Sequence, residues 1–130
     1  MRPHPMPTLG LLIGATLLAL MPPRALAAGD AARGAQVYEA RCAGCHSVQA
    51  DRVGPRHAGV VGRQAGSVPG FAYSPALQKS GITWDATTLN RWLSNPEALV
   101  PGQRMGYRLG DADQRADVIA YLATLADTPR

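Results

Sequence analysis

The chain has 130 residues, with thirteen Lys or Arg against nine Asp or Glu, a formal charge of +4, and only two cysteines. That length accommodates one modest domain and no more. The charge is too small and too scattered for a nucleic-acid binder: every basic residue except Lys79 is an arginine, and no run of like charge exceeds two.

The first segment reads as a targeting signal. Arg2 and three prolines precede an apolar run from Leu11 to Leu20, and Ala25-Leu26-Ala27 is a small-residue cleavage pattern. Residues 1–27 are therefore expected to be a secretory signal peptide, cut after Ala27, with residues 28–130 as the mature domain. The apolar run is short for a membrane span and is broken by Pro22-Pro23-Arg24, so no stable membrane anchor is expected. Removing the signal takes away Arg2 and Arg24 and no acid, which leaves a mature charge near +2. A periplasmic or otherwise exported location follows from this reading.

Asp30 is placed to cap a first helix in which Gly34, Val37, Tyr38 and Arg41 fall near one face. That helix leads into Cys42-Ala43-Gly44-Cys45-His46. Two thiols separated by two residues on a turn can each form a thioether with one vinyl group of a haem, and the histidine that follows can offer a ring nitrogen to the iron. Two other readings compete for a CxxC pair. A redox dithiol calls for a βαβ setting, and a structural zinc site calls for about four Cys or His ligands. The chain offers only His4 and His57 besides His46, and no further cysteine, so covalent haem c is the favoured cofactor.

Residues 47–71 are rich in Gly and Pro without sustained periodicity and read as a loop wrapped on the cofactor. His57, in that loop, reads as a surface or haem-edge residue. Ser74-Pro75 opens a short helix that Gly81 closes. Asp85 caps the next, with Leu89, Trp92 and Leu93 on one face, and Asn95-Pro96 ends it. An extended segment from Glu97 to Gly110 contains Pro101-Gly102-Gln103-Arg104-Met105, where a glycine lets the backbone approach a ring closely. Met1, Met6 and Met21 all lie in the signal segment, so Met105 is the candidate sixth ligand. Asp111 with Gln114 resembles a capping box ahead of a final helix with the stripe Val118, Ile119, Leu122 and Leu125. No segment is a convincing strand, so the fold class is all-α, with about four helices and long loops around one haem.

Gly29-Asp30, Gly34, the Cys42–His46 motif, Val53-Gly54-Pro55, Val61-Gly62-Arg63, Phe71-Ala72-Tyr73-Ser74, Trp84-Asp85, Leu93-Ser94-Asn95-Pro96, Pro101-Gly102 with Met105, and Arg115 to Leu122 occur in order. Together they resemble the signatures of class I cytochromes c, specifically the soluble mitochondrial and bacterial electron carriers. The resemblance implies that Gly34 and Tyr121 meet where the first and last helices cross. It implies that the Pro55 carbonyl holds the second nitrogen of His46, and that Tyr73, Trp84 and Arg63 face the haem propionates. Three positions depart from the pattern. His57 stands where leucine is frequent, Gln103 where threonine is common but still with a donor for a propionate, and Trp92 where a tyrosine often sits near the methionine.

With His46 and Met105 both on the iron, no coordination position is open to a substrate. The expectation is outer-sphere transfer of single electrons by a monomer that is not an enzyme and meets its redox protein partners transiently. Arg41, Arg104 and Arg108 would stand in for the lysine ring used by family members. A haem subunit of an exported dehydrogenase or oxidase remains open as an alternative, as does a peroxidase-like enzyme with a labile sixth ligand.

Overall fold

The computed structural model describes residues 28–126; the proposed signal segment, 1–27, lies outside them, as do residues 127–130. Among the described residues five helices follow one another: α1 (Ala31–Arg41), α2 (Pro75–Gln78), α3 (Ala86–Ser94), α4 (Pro96–Leu99) and α5 (Ala112–Thr124). The described residues contain no strand. A single antiparallel bridge pairs Gln64 with Thr83.

Each helix starts at a polar residue whose side chain accepts an otherwise unpaired N–H. Asp30 accepts from Arg33, Ser74 from Leu77, Asp85 from Thr88, Asn95 from Ala98, and Asp111 from both Asp113 and Gln114. The reciprocal capping box is at Asp85 and Thr88, not at Asp111, where the sequence pattern suggested it. Helix α4 corrects the count of about four helices and the extended reading of the segment after Pro96. Asn95-Pro96 does end α3, but Asn95 also caps the next turn and Pro96 sits at its first position, where a missing N–H costs nothing. A stop and a start share one dipeptide.

Helices α1 and α5 cross in backbone contact. A Cβ on Gly34 would stand 2.0 Å from the Asp117 carbonyl oxygen and 2.8 Å from Tyr121 Cβ, and one on Gly29 would stand 1.9 Å from the Ala116 oxygen. Only glycine allows that approach. Asp117 locks the crossing: its Oδ1 accepts from the Asp30 N–H at 2.6 Å and its Oδ2 from Arg33 Nε at 2.8 Å. Arg115 ties the start of α5 to α3 and to the chain leaving Met105, through Asn90 Oδ1 and the carbonyls of Leu109 and Gly110, each at 2.8 Å.

The Arg33 guanidinium and then the Asp30 N–H hold the Asp117 carboxyl below its ordinary value. A depressed carboxyl pKa stabilises the fold above the unfolded value of about 4, and the contribution is lost as pH falls through the folded value. Asp117→Asn should therefore flatten the acid side of a melting-temperature profile below about pH 4, relative to the parent protein. Parallel acid profiles would remove Asp117 as a source of acid sensitivity.

Candidate functional site

The Cys42–His46 motif winds off the end of α1. Cys42 caps the helix with its N–H on the Tyr38 carbonyl at 2.8 Å, and the N–H groups of Cys45 and His46 turn back to the Cys42 carbonyl at 3.1 and 2.9 Å. This tight turn brings Cys42, Cys45 and His46 together on the wall of a cleft of about 420 Å³. That volume falls within the roughly 300–1,000 Å³ of small-molecule and cofactor sites. Cys42 is half-buried and Cys45 exposed, and the two are not joined to each other as a disulfide. Burial pushes the Cys42 thiol up to about 11, whereas a redox dithiol depends on a lowered value. Among the described residues no three His, Cys, Asp or Glu side chains gather as a metal cage, so a zinc site lacks its ligand set.

His46 is oriented by its neighbours. Its Nδ1 lies 2.8 Å from the Pro55 carbonyl oxygen. A carbonyl only accepts, so Nδ1 carries the proton and the Nε2 lone pair is left for a metal. Burial lowers the His46 pKa, against the opposing effect of the Pro55 bond, which favours the neutral, ligating form. Gly54 lies against the ring: a Cβ there would stand 2.1 Å from His46 Cε1. Gly54→Ala must turn or displace the imidazole, at a cost of about 1–3 kcal/mol typical of overpacking. The expected result is a lowered melting temperature together with a ferric spectrum shifted toward high spin. An unchanged spectrum would mean that the ring has room to yield.

Of the two places the sequence left for His57, the surface or the haem edge, the structure gives it the cleft side. It is half-buried, lines the cleft, and stacks on His46 with ring centroids 4.1 Å apart and planes 20° apart. Its Nδ1 is 3.0 Å from the Tyr38 hydroxyl. Burial, then the adjacent His46 and Arg63, push its pKa down to about 3. Neither Tyr38 nor Gly54 stood out in the sequence as acting on His46, because nothing in the spacing shows which face of a ring a loop residue will meet.

Met105, half-buried, also lines the cleft. Its segment is held by side chains: Glu97 accepts from the Gly102 N–H at 3.0 Å and from Gln103 Nε2 at 3.3 Å, while Gln103 Oε1 accepts the Met105 N–H. Both ends of the Gln103 amide are thus engaged with this loop, and Gln103 is the one candidate cofactor-binding residue that does not line the cleft. Pro55, Arg63, Tyr73, Trp84 and Trp92 all do. Arg63 and Trp84 are brought side by side by backbone pairing, with the Trp84 N–H on the Arg63 carbonyl at 2.9 Å and the Gly62 N–H on the Trp84 carbonyl at 2.7 Å. The Arg63 guanidinium donates to the carbonyls of Ala58 and Arg56, both at 2.8 Å. Tyr73 packs edge-on against Phe71, and burial raises its phenol pKa. Trp84 and Trp92 pack at 5.3 Å. Arg41, Arg104 and the 80% exposed Val53 belong to the cleft lining; Arg108 does not.

Two thiols, an imidazole with one nitrogen already bonded, a thioether and an otherwise largely apolar wall form a donor set that fits a haem. The family model for cytochrome c matches residues 31–126. This chain belongs to the cytochrome c family. It is 50% identical over 104 residues to cytochrome c2 of Rhodomicrobium vannielii, covering 77% of this chain and 82% of that protein. It is 43% identical over 102 residues to cytochrome c of Euglena viridis, covering 76% of this chain and all of that protein. The solved structure of cytochrome cH from Methylobacterium extorquens superposes with a TM-score of 0.71 at 45% identity, over 74% of this chain and 99% of its own. The protein is accordingly an all-α cytochrome c domain that carries one haem c, joined covalently through Cys42 and Cys45. It is an electron carrier and not an enzyme.

Proposed function

We propose that this cytochrome is exported, holds its haem iron between His46 and Met105, and passes single electrons between protein partners by outer-sphere transfer as a monomer. The observation that carries the reading is the Nδ1 bond of His46 to the Pro55 carbonyl, which commits the other ring nitrogen to a cleft that Met105 also lines. When bound, the haem supplies a one-electron Fe(III)/Fe(II) couple. The protein contributes the rest. His46 and Met105 would hold the iron between them and leave no position open to a substrate, and a thioether with a low-dielectric wall would favour the less charged ferrous state.

Arg63, Tyr73 and Trp84 are suited to meet the propionates, one cation beside two neutral donors, which offsets the cost of burying carboxylates. Trp92 lines the same cleft as Met105 and has no hydroxyl to offer a thioether. Gln103 acts on Met105 through the loop instead of on a propionate. Partners approach at the edge near Cys42 and Cys45, where Arg41 and Arg104 offer positive charge to an acidic surface and make docking weak and salt-sensitive. Among the described residues no helix is long and apolar enough to cross a membrane.

The test is an optical spectrum of both oxidation states after expression with haem maturation, together with the mass of the secreted chain. The expected ferric protein is low-spin with the weak far-red band of methionine ligation, its ferrous form does not bind carbon monoxide rapidly, and its chain begins at Ala28. A missing far-red band sinks the His46/Met105 pair, and rapid carbon monoxide binding points to a peroxidase-like site instead.

A further inference from the structure

The His46 imidazole touches a second imidazole. His57 lies flat against His46, 4.1 Å away and within 20° of parallel, and its own orientation is fixed at three points. The Tyr38 hydroxyl is 3.0 Å from its Nδ1. Its backbone N–H donates to the Ser47 carbonyl at 3.0 Å, and its carbonyl accepts from the Val60 N–H at 3.0 Å. Tyr38 is itself buried and packed against Tyr121 of α5, ring centroids 5.3 Å apart. A continuous set of ring contacts therefore runs from the α1–α5 crossing through Tyr38 and His57 to His46.

We propose that His57 is a positioning residue for the axial ligand: held by Tyr38, it fixes the plane of the His46 ring and sets the haem at a lower midpoint potential than an aliphatic neighbour would. The inference rests on His46 being the iron ligand. Pro55 restrains His46 at one nitrogen, which leaves rotation about that bond, and a stacked ring opposes such rotation in a way a leucine does not. A neutral but dipolar ring in contact with the ligand also stabilises the more positively charged ferric state relative to a wholly apolar contact. Both effects would act through His46, the ring on which His57 is stacked while its own Nδ1 faces Tyr38.

The experiment compares the haem-loaded parent, His57→Leu and Tyr38→Phe by midpoint potential and by the g-value spread of the ferric electron paramagnetic resonance spectrum, which reports the orientation of the ligand planes. Thermal melts establish that each variant folds. His57→Leu should raise the potential and alter the g-values while staying low-spin. Tyr38→Phe, which keeps the stack but loses its tether, should move both readouts in the same direction by less. A folded His57→Leu protein with both readouts unchanged overturns the proposal while leaving His46 ligation intact. Should His57→Leu fail to fold, unchanged readouts in Tyr38→Phe overturn it equally. A parent protein without a low-spin His/Met spectrum overturns the ligation reading and this inference with it.

Discussion

Met105→Ala is expected to abolish the far-red methionine band, open the iron to carbon monoxide, and lower the midpoint potential by a few tenths of a volt, within the roughly 0.8 V range over which axial ligands act. Alanine leaves no donor at that position, and no other methionine occurs in residues 28–130. Residues 28–130 therefore hold no replacement thioether. His57, the remaining imidazole, is stacked on His46 and bonded to Tyr38, so it would have to leave its own contacts to take Met105's place. Breaking the loop contacts behind Met105 should produce a graded version of the same loss. Glu97 holds the Gly102 N–H and the Gln103 amide, and Gln103 holds the Met105 N–H. Glu97→Ala removes the outer holder only, so carbon monoxide should bind, but more slowly than to Met105→Ala. A Met105→Ala protein with its far-red band intact would assign the sixth position to another residue.

The haem-attachment motif and the helix caps were legible because both leave signatures in local spacing. The Cys42–His46 motif and the capping residues Asp30, Ser74, Asp85 and Asp111 are each read from a few neighbouring residues. Helix α4 was missed because Asn95-Pro96 is read equally well as a stop and as a start; the structure shows the start, with the Asn95 side chain accepting the Ala98 N–H and the Pro96 carbonyl accepting the Val100 N–H at 2.9 Å within the same turn. The Pro55 bond to His46 was expected from the family resemblance and is present, but the contacts with the faces of the His46 ring were illegible for a different reason. Gly54 and His57 lie eight and eleven residues after His46 in a loop with no periodicity, so no repeat indicates which of them meets the ring. The Asp117 lock on α1 joins residues 87 and 84 positions apart, a separation at which sequence pattern carries no pairing information.

The same geometry makes the cofactor a structural element. Apart from Ala65, Val100 and Leu109, every member of the main hydrophobic cluster also lines the cleft. Tyr38, Leu77, Trp84, Trp92 and Val118 therefore pack around the cofactor's volume as much as against each other. Leaving a side chain of that size in water forfeits about 1.5–3 kcal/mol, and a small domain has a net stability of only about 5–15 kcal/mol. Loss of a handful of these contacts exceeds the whole. A Cys42→Ser/Cys45→Ser chain, unable to form either thioether, is accordingly expected to lose most of its helical far-ultraviolet circular dichroism and its cooperative melt, whereas the haem-loaded parent melts in one transition. The α1–α5 crossing is the region expected to retain residual helix, because Gly29, Gly34 and Asp117 join those helices through backbone contact and hydrogen bonds that do not involve the cleft. A haem-free double variant that melted as cooperatively as the parent would show that the side-chain core closes on itself, and that the cofactor adds function without adding structure.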